Sequence, residues 1–124
     1  MPTLVWHKLG GNTQMDCIFC KIIAKELPSK ILYEDELCLA IADINPQAPF
    51  HALIMPKTHV IEKAADIKAE HAALIGHIFT VATQITAGHA GYRVITNSGR
   101  AAGQSVDHLH FHVLAGRTFD ERIV

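Results

Sequence analysis

The 124-residue sequence predicts an α+β domain, an antiparallel sheet with one long helix and a short N-terminal helix packed against it. Three observations carry that prediction. Several short runs have the β-branched or alternating content of strands. Only one stretch, 66–88, sustains helical periodicity, so strands and helices do not alternate as βαβ units. Finally, residues 108–114 read His-Leu-His-Phe-His-Val-Leu, an alternation that a strand sorts into a polar and an apolar face.

Taken in order, residues 1–14 have little pattern, contain Gly10-Gly11-Asn12 and read as a flexible extension, with a single domain over 15–124. Residues 17–24 suit a short helix that ends before Pro28. Residues 31–33 and 37–42 are strand segments, the second closed by the turn formers Asp43, Asn45 and Pro46. Residues 51–55 form a third strand, stopped by Pro56. In 66–88, Leu74, Ile75, Ile78, Ala82 and Ile85 recur at helical spacing, and Gly88 stands where a helix ends. Residues 92–96 and 107–114 are strands that pair as a hairpin across the glycine-containing loop 97–106.

Composition narrows the function. Apolar residues make up 49% of the chain and the net charge is −1, without the basic stripe a nucleic-acid binder needs. No apolar run reaches the roughly 20 residues of a membrane span. The amino terminus lacks a signal-peptide layout, so a cytoplasmic location is expected. Three cysteines with no export signal argue against a disulfide framework. Cys38, in an apolar strand, reads as a core thiol.

Two clusters carry chemistry. On a strand, His108, His110 and His112 project to one face while Leu109, Phe111 and Val113 face a core. Neutral imidazole serves as nucleophile, proton carrier or metal ligand, and the plain alternative is a half-buried strand facing solvent. Cys17 and Cys20 have the Cys-x-x-Cys spacing of a zinc site, with His59 and His108 as further ligands. The same spacing fits a redox pair, or two small apolar residues on one helix face. Next to the histidines, Gly103, Gln104 and Ser105 offer backbone and side-chain donors for a phosphate, although alone they read as a turn.

These residues resemble the histidine-triad nucleotide-binding proteins, of the nucleoside phosphoramidase branch. The resemblance rests on the 108–114 run together with Cys17-Ile-Phe-Cys-Lys-Ile-Ile, Asp43-Ile-Asn-Pro-Gln-Ala-Pro, His51, Ile54-Met-Pro-Lys-Thr-His59, Gly91-Tyr-Arg, Asn97 and Gly103-Gln-Ser-Val106. It implies a homodimer whose sheet continues across the interface, with the long helix and the strand at 92–96 at that interface. It also implies a hydrolase that cleaves the P–N bond of purine nucleoside 5′-phosphoramidates. His110 becomes the nucleophile and carries a nucleotidyl intermediate that water hydrolyses. His112 contacts the phosphate, His51 orients the imidazoles and Ser105 meets the leaving nitrogen. Asn97 and the Gly103-Gln104-Ser105 segment hold phosphate oxygens, and Asp43 binds the ribose. Ile18, Phe19, Ile22, Ile44 and Leu53 sandwich the base, where core packing is the ordinary reading.

The resemblance implies that catalysis requires no cofactor. It also implies that a zinc on Cys17, Cys20, His59 and His108 would be structural, because relatives without the second cysteine work without it. The tail from about residue 116 lacks the tryptophan some relatives place there, which leaves the amine leaving group open. Alternatives that keep the same site are a dinucleoside polyphosphate hydrolase and a non-catalytic nucleotide-sensing or partner-binding dimer. A metallohydrolase built on the three histidines ranks behind these.

Overall fold

Cys17 precedes the first described element. Its Sγ accepts the Cys20 backbone N–H at 3.4 Å and so caps helix α1, Ile18–Ile23. The computed structural model describes residues 17–123, and the extension at 1–14 lies outside them. Strands β1 (Ile31–Glu34) and β2 (Cys38–Ala42) pair antiparallel around a turn that Asp35 closes. Its Oδ1 accepts the Leu37 and Cys38 N–H groups at 2.8 and 2.9 Å, an Asx turn. Strand β3 (Phe50–Pro56) pairs with β2 on one side and with β5 (Phe111–Ala115) on the other. Strand β4 (Arg93–Ile95) forms the edge beside β5. The sheet order is β1-β2-β3-β5-β4 and every pairing is antiparallel.

Both faces of the central strands are covered, which explains why β2 and β3 read as nearly continuous apolar runs. Leu39, Ile41, Leu53 and Met55 pack on one face with Ile18, Phe19 and Ile22 of α1. Ala40, Ala52 and Ile54 pack on the other with Ile78, Val81 and Ala82 of the long helix α2, Ala72–Ile85. Leu109, Phe111 and Val113 join the α2-side core, as their alternation predicts. Among the described residues, no helix is long and apolar enough to cross a membrane.

Two expectations need correction. The long helix starts at Ala72 rather than 66 and stops at Ile85 rather than 88. Two single 3-10 turns, Ala64–Asp66 and Ala69–His71, precede it. Ile67 and Lys68 are extended between those turns, and Ile67 packs against the α2-side core. At the far end the Thr86 hydroxyl bonds back to the Ala82 carbonyl at 2.7 Å, and Gly88 turns the chain with φ +94°.

The second correction concerns the histidine run. Strand β5 begins at Phe111, so His108 and His110 lie in the segment that leads into it, His108 in a bend, and only His112 is inside the ladder. The Leu109 N–H donates to the Ile61 carbonyl at 3.0 Å, and the Thr96 hydroxyl donates to the His110 carbonyl at 2.8 Å. Partners outside the sheet thus replace the ladder at that point.

Candidate active site

His110 and His51 each have one ring nitrogen fixed by a main-chain group, His112 has one fixed by His51, and those bonds set the tautomers. Nδ1 of His110 lies 2.8 Å from the His108 carbonyl oxygen, which can only accept. Nδ1 therefore carries the proton and Nε2 is bare, the form a nucleophile needs. His51 is set the opposite way. Its Nδ1 accepts the Gln47 backbone N–H at 2.9 Å, so Nε2 carries the proton. That Nε2–H points at His112 Nδ1, 2.9 Å away. His112 thus keeps its own proton on Nε2, where it can donate to an anionic oxygen.

The three rings form one assembly. His110 and His112 stand with centroids 5.4 Å apart, and His51 and His112 with centroids 5.2 Å apart. The register explains the second contact. His112 pairs with Leu53 and His51 with Leu114, which puts both histidines on the α1 side of the sheet. Asp43, just beyond β2, faces the pair, its Oδ2 at 3.3 Å from His51 Nε2 and 3.8 Å from His112 Nδ1. Burial holds all three imidazoles below their ordinary titration range, and Asp43 opposes the shift in each. His112 is pushed down to about 4, its neighbours His110 and His51 adding to the effect of burial. Neutral imidazoles are the resting state.

Phe19 and Ile22 are fully buried, and Ile18 and Leu53 nearly so, forming a wall beneath the histidines. Phe19 presents a T-shaped contact to His110 with centroids 4.9 Å apart. Ile44 is not part of that buried cluster and is 44% exposed. The loop before β5 is built from its own groups. Gly103 has φ +95°, and a side chain there would approach the Asn97 amide nitrogen at 3.7 Å. Asn97 Nδ2 donates to the Ala102 carbonyl at 2.7 Å. Gln104 is buried and holds the loop together. Its Nε2 donates to the Glu62 and Val106 carbonyls, its Oε1 accepts the Gly99 N–H, and its own N–H reaches the Gly99 carbonyl. Ser105 lies between this brace and His108 in the chain.

A second cluster adjoins the first. Cys17, Cys20, His59 and His108 bring four ligand atoms within 4.8 Å of one another. His108 Nε2 lies 2.8 Å from the Pro56 carbonyl, so the proton sits there and Nδ1 is bare toward the cysteines. Nδ1 lies 3.1 Å from His59 Nδ1, 3.4 Å from Cys17 Sγ and 3.6 Å from Cys20 Sγ, and Cys20 Sγ lies 3.0 Å from His59 Nδ1. The edges of a tetrahedral zinc site are about 3.3 Å between nitrogens and about 3.6 Å between nitrogen and sulfur. Two thiols and two imidazoles with these separations fit that ion. Burial, with Cys17 adding to it, pushes the Cys20 thiol up to about 12, a cost that a bound dication would reverse. His59 Nε2 is buried without a hydrogen bond, its nearest carboxylate oxygen being Glu62 Oε2 at 3.9 Å.

The main-chain partners Gln47, Pro56 and the His108 carbonyl were not legible in the sequence, because side-chain identity does not mark them. Neither was the link between His77 Nε2 and Asp35 Oδ2, 2.6 Å apart, which ties α2 to the β1–β2 turn. His71, His77 and His89 stay outside both clusters, and His7 lies outside the described residues.

Comparison with known proteins places the chain by family and fold. The HIT domain model matches residues 24–119. A purine nucleoside phosphoramidase of Escherichia coli K12 is 45% identical over 106 residues, spanning 82% of this chain and 88% of that protein. A HIT family hydrolase from Clostridium thermocellum superposes with a TM-score of 0.85 at 47% identity, covering 90% of this chain and 100% of that one. A zinc-bound histidine triad family protein from Mycobacterium smegmatis superposes with a TM-score of 0.74 at 33% identity, covering 88% of this chain and 81% of that one.

Proposed function

The chain belongs to the HIT domain family, and from that premise we propose that it hydrolyses the P–N bond of purine nucleoside 5′-phosphoramidates through a nucleotidyl-histidine intermediate on His110. One observation carries the reading: His110 is buried with its Nδ1–H held by the His108 carbonyl at 2.8 Å, so Nε2 is the free electron pair. The phosphoramidase name of the Escherichia coli relative supports the substrate class.

In this reading His110 Nε2 attacks the α-phosphorus. A P–N bond to His110 forms as the P–N bond to the amine breaks, and the departing nitrogen takes a proton from solvent through the Ser105 hydroxyl, which the hydrolytic water of the second step gives back. Water then attacks the same phosphorus, releasing AMP and restoring neutral His110. Two displacements replace one harder one. His112 Nε2–H faces the charge that grows on the phosphoryl oxygens, and His51 holds His112 in the tautomer that can donate. Amides of the Gly103–Ser105 loop and Asn97 hold the remaining oxygens, Asp43 meets the ribose, and the wall with Ile44 at its margin takes the purine.

Catalysis needs no cofactor here. Cys17, Cys20, His59 and His108 would hold zinc, which would neutralise the thiolates and cross-link the start of α1 to the segment before β5. The active form is a cytoplasmic homodimer joined through α2 and β4, where Phe79, Tyr92 and Ile95 leave apolar surface exposed. Residues 15–124 act as one domain, and the tail from about 116 tunes the leaving group.

The test is His110→Asn against an adenosine 5′-phosphoramidate. Turnover should fall by more than about a thousandfold while AMP still binds. Wild-type rates in the variant would end the proposal. Turnover of diadenosine tetraphosphate with none of phosphoramidates would move the substrate class to polyphosphates.

A further inference from the structure

The Asp43 carboxylate is withdrawn from water, its side chain 6% exposed, and the basic groups it faces are two imidazoles. Its Oδ1 accepts the Asn45 N–H at 2.7 Å, which fixes the plane of the group and leaves Oδ2 toward His51 and His112. Among the described residues, no lysine or arginine forms an ion pair with it. A carboxylate removed from water is costly unless a donor or cation compensates it. Here the Asn45 N–H serves Oδ1, and the group that compensates Oδ2 is His51. Because the Gln47 N–H occupies His51 Nδ1, the proton on Nε2 is available to Asp43 at 3.3 Å and to His112 at 2.9 Å. Binding sugar hydroxyls alone would not require the carboxylate to lie within 4 Å of two imidazoles.

We propose that Asp43 is a positioning residue for the His51–His112 pair, independent of any contact with the sugar, and that it keeps His112 Nε2–H aimed at the phosphoryl group. The inference rests on the phosphoramidase reading of this site. Asp43 stabilises the positive character that His51 and His112 acquire as His112 donates to an increasingly negative phosphoryl oxygen. Its charge reaches the substrate through one imidazole–imidazole hydrogen bond.

The experiment compares Asp43→Asn with wild type on adenosine 5′-phosphoramidate and on its 2′,3′-dideoxy counterpart, with kcat and KM measured for each. On both substrates kcat should fall by the same factor, about tenfold or more. Combined with His51→Gln, the further loss from Asp43→Asn should shrink below about threefold, because both changes act through one pair. A loss confined to the ribose substrate and expressed in KM would overturn the proposal. So would fully multiplicative losses in the double variant. If wild type turns over neither substrate, the phosphoramidase reading has failed, and the His51 Nε2–H proton resonance in the AMP complex becomes the test. The proposal then requires that resonance to shift or vanish in Asp43→Asn, and an unchanged resonance overturns it. Asp43→Ser is read by the same criteria if Asp43→Asn does not fold.

Discussion

The proposed chemistry depends on which nitrogen of each histidine holds the proton. Three main-chain groups decide it: the His108 carbonyl for His110, the Gln47 N–H for His51 and the Pro56 carbonyl for His108. The histidines themselves were legible in the sequence as an alternating run. Their tautomers were not, since a carbonyl or amide from any residue type fixes a ring equally well. The neutral resting state has a thermodynamic consequence. An unfolded imidazole titrates near 6.5, whereas folded His112 holds off its proton to about 4. Between those values the unfolded chain binds the extra proton, so stability is full above the upper value and is lost as pH falls toward the lower one. Denaturant titrations across that range should show wild type losing up to about 3 kcal/mol more than His112→Asn on acidification. Equal losses in the two proteins would remove His112 from the account.

At the scale of elements, the loops make sites out of an ordinary sheet. The order of strands and helices follows from the pattern of apolar residues, and the structure moves only boundaries. Ile67 breaks the expected helix because it packs into the core from an extended backbone, which helical periodicity does not reveal. The approach to β5 leaves the ladder because Ile61 and Thr96, distant in sequence, offer better-placed partners. Gly116 ends β5 with φ +94°, where a side chain would meet Pro49 Cβ at 2.9 Å and the Phe50 nitrogen at 3.3 Å. Gly116→Ala should therefore cost about 1–3 kcal/mol, read as a lower melting temperature with the site chemistry intact. The Cys-x-x-Cys element makes a separate prediction. Purified protein should carry one zinc per chain, and chelation or Cys20→Ser should lower the melting temperature before it lowers turnover measured well below melting. Loss of activity with unchanged stability would point instead to a catalytic metal.

At the scale of the whole molecule, the antiparallel α+β sheet with its helices was legible in the sequence, whereas His51 joined the triad only through the family resemblance. Convergence follows once β3 and β5 are neighbours, because the register then sets His51 and His112 on one side of the sheet. What a single chain does not display is its assembly. Edge strand β4 carries Ile95 at 38% exposure, and α2 carries Phe79 at 41%. Sedimentation should give about twice the 13.6 kDa chain mass, and Ile95→Asp should shift the population to monomer. A monomeric wild type at micromolar concentration would contradict the dimer.

The central claim, nucleophilic attack by His110, is tested most directly by rapid-quench mass spectrometry during turnover of an adenosine 5′-phosphoramidate. The account predicts a mass increase of one AMP, mapped to His110 and missing from His110→Asn. An adduct on another residue, or sustained turnover by His110→Asn with no adduct, would contradict it.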